Sequence, residues 1–120
     1  MKDIASRIRL SYDELKGIES LDKKPEPGQA RKALIQLRDA VNELLFDQDF
    51  LSKLGRLLKP EDKESIMATL LSGARELTYG IALALALDQL GGDVRLPITN
   101  IMTTHQLPAL VQLVERLDKM

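Results

Sequence analysis

The sequence predicts an all-α, single-domain bundle of about five helices around a long central helix at residues 61–90. Three observations carry that prediction. Apolar residues recur at three- and four-residue spacings along most of the chain, the period of a helix with one buried face. The aromatics are only Tyr12, Phe46, Phe50 and Tyr79, with no Trp, so Leu, Ile, Val and Ala must fill the core, a composition that favours helices packed on helices over a sheet. At 120 residues the chain is long enough to bury a core without disulfides or a metal staple. One domain therefore spans 1–120, with a Pro/Gly linker at 20–28 separating helix 1 from the rest.

Helix 1 is expected over residues 2–19, with Ile4, Ile8, Tyr12, Leu15 and Ile18 near one face. Its basic start (Lys2, Arg7, Arg9) opposes the helix dipole, so packing must hold it. The segment Ser20-Leu21-Asp22-Lys23-Lys24-Pro25-Glu26-Pro27-Gly28 cannot continue it, because two prolines and a glycine interrupt helical hydrogen bonding. The linker is long enough to let helix 1 dock within its own chain or on a second subunit.

Helix 2 is expected from about Pro27 to Phe46, on the stripe Ala30, Leu34, Leu37, Val41, Leu44 and Leu45. Asp47 or Asp49 then caps a shorter helix from Phe50 to Leu58. Lys59-Pro60-Glu61-Asp62-Lys63-Glu64 reads as the start of the long helix: proline suits a first turn, and acids suit its positive end. Up to Glu76 the helix is polar on one side. From Gly80 to Leu87 it is apolar on every side, and such a helix must be surrounded. That half is expected to be the most buried segment of the assembly. Gly91-Gly92 ends it with a left-handed cap. Asp93–Pro97 is too short for a sheet strand, and Ile98–Met102 is expected to make a single turn. Thr103 or Thr104 then caps a last helix to about Asp118 that buries Leu107, Leu110, Val111, Val114 and Leu117.

One family comparison arises from residues 86–119. Ala86-Leu87-Asp88-Gln89-Leu90, a glycine turn, Arg95-Leu96-Pro97, a short turn and a Leu-rich last helix resemble the end of an acyl or peptidyl carrier protein. The resemblance covers under a third of the chain. Carrier activity would require a serine near the position of Leu77; none stands there, and Ser72 lies earlier, within the helix. No function is carried over.

No motif specifies a reaction. Without cysteine there is no thiol nucleophile, disulfide framework or cysteine metal site, which agrees with a reducing cytoplasm. His105, the only histidine, has Thr103, Thr104, Asn100 and Gln106 around it, which is no metal set. Glu61, Asp62 and Glu64, like Asp47 and Asp49, stand where helix starts favour negative charge, and no calcium-loop glycine follows them. Gly91-Gly92 follows a helix rather than a strand, so it is no phosphate loop. No catalytic residue, metal ligand or cofactor is expected. The N-terminus lacks a signal-peptide core, and the eight-residue apolar run at 80–87 is too short to span a membrane.

The expected function is therefore a non-enzymatic helical protein–protein interaction module: a small adaptor, chaperone-like or regulatory subunit. It is expected to be cytoplasmic, with another protein or a second copy of itself as partner (a homodimer). The expected interface residues are Tyr79, Ile81, Leu83, Leu85 and Leu87 of the long helix, with Ile4, Ile8 and Leu15 of helix 1. The alternative is a nucleic-acid-binding transcriptional regulator using the basic residues of helices 1 and 2. The best cluster is Lys23, Lys24, Arg31, Lys32 and Arg38; Glu26 and Asp39 dilute it, and no aromatic stands among them to stack a base.

Overall fold

The computed structural model describes residues 1–120 and contains six helices and no strands. They are α1 (Lys2–Glu19), α2 (Arg31–Leu45), α3 (Gln48–Leu57), α4 (Lys63–Gln89), α5 (Arg95–Thr103) and α6 (Leu107–Asp118). In space α1 packs on α2, α5 and α6; α4 lies against α2 and α5; and α3 packs on α6. The body measures 47 × 24 × 21 Å. A 27-residue α4 is about 40 Å long, so it must lie along the longest dimension.

Helix ends follow local chemistry. The Asp47 carboxylate accepts the Phe50 N–H at 2.8 Å and caps α3. Gly91, at φ 74°, closes α4: its N–H donates to the Asp88 carbonyl and that of Gly92 to the Leu87 carbonyl, the paired bonds of a Schellman cap. α2 begins at Arg31 and not at Pro27, because Gly28 adopts φ 87° and residues 27–30 form turns.

The turn expected at 98–102 is the full nine-residue α5, which brings the helix count to six. Asp93 accounts for its start: its carboxylate accepts the Arg95 N–H at 3.1 Å and the Arg95 guanidinium at 2.6 Å. Pro97 falls in the first turn, where its missing N–H forfeits no helical bond. Neither Thr103 nor Thr104 caps α6. Thr103 is the last residue of α5 and donates its hydroxyl to the Thr99 carbonyl, while Gln106, in the left-handed conformation (φ 51°), turns the chain into α6.

The core holds 25 buried apolar residues. α2 is its most enclosed helix: Ala33, Leu34, Leu37, Ala40, Val41 and Leu44 are all buried. The long helix α4 flanks this core instead of being sheathed by it. Through Lys63–Gly73 no residue is buried, and from Ala74 onward only Ala74, Leu77, Gly80, Ile81, Ala84 and Asp88 are. The expectation that residues 80–87 are the most buried segment is corrected: one side of that run faces the core and the other faces solvent.

Candidate functional site

α4 carries two apolar seams on opposite sides. The inward seam, Ala74, Leu77, Ile81, Ala84 and Asp88, alternates spacings of three and four residues, the heptad rhythm that keeps one stripe facing a neighbouring helix. Its apolar members pack in the core. The outward seam repeats that rhythm as Tyr79, Leu83, Ala86 and Leu90, with Ala82 beside Leu83. All five are exposed, and Tyr79, Leu83 and Leu90 keep 66%, 59% and 82% of their surface in water. Between Thr78 and Leu90 the only charged side chain is Asp88, which points inward.

Asp88 fixes which seam is inside. It is 2% exposed, and its carboxylate accepts the Gly28 N–H at 2.7 Å and the Arg31 guanidinium at 2.9 and 3.2 Å. A buried carboxylate is tolerated only when paired in this way. The contacts tie the linker and the start of α2 to the end of α4. Leu21 is joined to the same end of the molecule, its carbonyl accepting Arg95 Nη1 at 3.0 Å.

The residues expected at an interface divide between these two sides. Tyr79 and Leu83 stand on the outward seam, and Leu85 and Leu87 are half-buried. Ile81, Ile4, Ile8 and Leu15 are enclosed in the core of the single chain, with α1 docked on α2 of the same chain. Sequence alone sets Leu83, Ala86 and Leu90 on the side opposite Ile81 and Ala84, and counts Ala82 and Ala86 among the small residues that let helices approach, without placing Ala82, Ala86 or Leu90 at the interface.

A second surface feature is a cleft of about 330 Å³ between the outer half of α4 and the α5–α6 junction. Leu70, Leu77, Leu110 and Leu113 line it, with His105 and Glu76 at polar positions. The His105 ring lies over Gly80, where a Cβ would come within 2.8 Å of it, so only glycine allows this approach. The imidazole makes neither a hydrogen bond nor an ion pair, and no three His, Asp or Glu side chains gather where a metal could sit.

The four arginines of α1 and α2 are engaged by acids, whereas Lys2, Lys16 and Lys32 are not. Arg7 pairs with Glu43 and Asp3, Arg9 with Glu115 at 2.6 Å, Arg31 with Asp88 and Arg38 with Asp39. The Arg9 hydrogen bonds hold the Glu115 carboxyl below the usual range, and Arg95 brings Asp93 down to about 2. By length and mean hydropathy alone α4 also passes as a membrane-crossing helix, a property that its eight-residue apolar run did not reveal. Core helices pass the same test, and the inward seam of α4 is packed. No protein-family model matches this sequence, and no curated protein or solved structure does so either.

Proposed function

We propose that this chain is a non-enzymatic helical protein–protein interaction module, a small adaptor or regulatory subunit, whose contact surface is the outward seam of α4. The observation that carries the reading is a second heptad-spaced apolar stripe left open on a helix whose first stripe is already engaged. Single exposed leucines are ordinary, but a contiguous uncharged stripe over three helical turns is the kind of surface that partners cover. A helix offering such a stripe binds by laying it against another helix or into a groove. A cytoplasmic setting fits a cysteine-free chain. Nucleic-acid binding is the weaker alternative, because the arginines it would use are already neutralised by acids.

The test is in-cell cross-linking followed by mass spectrometry, comparing the wild type with Leu83→Glu. A protein cross-linked through α4 in the wild type and lost in the variant is the expected result. An identical cross-link pattern in both would remove α4 as the contact surface.

A further inference from the structure

Resting on that reading of α4 as the contact surface, we infer that its partner is a second copy of this chain, with the two α4 helices crossing antiparallel about a two-fold axis between Ala82 and Leu83. In that arrangement the outward seam sets large residues against small ones, whereas a parallel one would set Tyr79 against Tyr79 and Ala86 against Ala86. Reversing the seam about this point sets Leu83 beside Ala82 of the second copy, Tyr79 over its Ala86 and Arg75 beside its Leu90. Tyr79 and Leu83 then each meet an alanine, while Leu90 lies along the Arg75 side chain. The alanines let the two backbones approach to the roughly 8–10 Å of packed helices, and the tyrosine and leucines fill the space beside them.

Charge agrees with this register. Within the stretch that would be covered no exposed charge opposes its own copy, which a symmetric contact requires. At its edge Arg75 is exposed and forms no ion pair within the chain. α4 has no basic residue of its own in its last turn, and the Arg31 that reaches that end is paired with Asp88. The antiparallel register delivers Arg75 of each copy to that end of the other. A parallel pairing would instead set Arg75 against Arg75.

The covered stretch, residues 75–90, is about 22 Å of helix, which is less than the roughly 800 Å² per partner of a standard interface. Association is therefore expected to be weak, with the dimer appearing between about 10 μM and 1 mM.

Sedimentation velocity over that concentration range tests the assignment on the full chain, whose monomer mass is 13.4 kDa. The wild type is expected to move reversibly toward twice that mass. Leu83→Glu and Leu83→Lys should each stay monomeric, because the substituted residues meet near the axis, and an equimolar mixture of the two should recover the dimer. Arg75→Glu should weaken association several-fold. The chain has no cysteine, so single-cysteine variants report register directly. Tyr79→Cys mixed with Ala86→Cys should form a mixed disulfide dimer, and neither should do so alone. A wild type that stays monomeric to 1 mM overturns the inference, as does a Leu83→Glu variant that still dimerises, a charge-swapped mixture that stays monomeric, or a Tyr79→Cys homodimer. Binding of monomers to neutral phosphatidylcholine vesicles, abolished by Leu83→Glu, would assign the seam to a lipid surface and also overturn it. If the chain proves monomeric while α4 still cross-links to a different protein in cells, the reading of α4 as a contact surface stands and the second copy falls.

Discussion

α2 and α4 lie side by side and treat apolar side chains in opposite ways. α2 has charged residues on its outer side (Arg31, Lys32, Asp39, Glu43), and of its eight apolar residues six are buried, with Ile35 and Leu45 half-buried beside them. α4 is the more apolar helix over its second half, yet Tyr79, Leu83 and Leu90 stand in water while a carboxylate, Asp88, is buried. The contrast separates two quantities that composition merges. How apolar a helix is determines how much surface it can bury; the packing of its neighbours determines which part of that surface is buried. In α2 the charges leave only one face available. In α4 both faces were available, and the ion pair of Asp88 with Arg31 selects one.

The same substitution in the two helices sharpens that contrast most. Leu37→Ala in α2 removes a fully enclosed side chain and should cost about 3 kcal/mol in urea denaturation, within the range for buried leucines. A loss below about 1 kcal/mol would show that α2 is not the packed centre of the bundle. Next comes Asp88→Ala, expected to cost about 2 kcal/mol, since charge-assisted hydrogen bonds are lost while the half-exposed Arg31 can regain water. If it proved neutral, Asp88 would not be what sets the inward face of α4.

Glu115→Gln should cost at most about 1 kcal/mol at pH 7, because the pair with Arg9 is partly exposed. Its acid dependence has a definite sign. The folded-state value of Glu115 is lowered from 4.5, so its contribution is present above that value and fades as pH falls through the lowered one. The gap between wild type and variant should therefore close in urea titrations taken from pH 7 downward, and a gap that widened with acid would contradict the pairing. The smallest effect is Leu83→Ala on the outward seam, expected within about 0.5 kcal/mol at micromolar chain concentration, below the range in which a second copy is expected to pair. A loss comparable to that of Leu37→Ala would mean that Leu83 is packed after all.

The helices were largely legible in the sequence because their punctuation is local. The cap at Asp47, the stop at Gly91 and the break at Pro25–Gly28 each follow from a few neighbouring residues. The full length of α5 is not legible in the sequence, because its start depends on Asp93 and Arg95 folding back on each other, which spacing does not reveal. On α4 the outward seam was half legible. Tyr79 and Leu83 were marked as contact residues, but periodicity could not choose between two apolar faces. A signal was present: Asp88 stands seven residues after Ile81 and four after Ala84, on the same face, and the start of α2 offers Arg31 as a mate. Its use required knowing that the start of α2 returns to the end of α4, which is a tertiary fact.

The pairing of α1 with α6 bears on how the chain is made. Arg9 meets Glu115 across 106 residues of sequence, and α1 shares the core with α6 as well as with α2. On the ribosome α1 and α2 can close on each other early, but the side of α1 destined for α6 stays uncovered until the last helix has left the exit tunnel. At about 5–20 residues per second that interval lasts several seconds, during which a nascent chain carries both this bare face and the outward seam of α4. Contacts so distant in sequence also slow spontaneous refolding relative to bundles whose helices pair only with their immediate successors. Newly made chains are thus most open to capture by chaperones, or by one another, in the seconds before α6 docks.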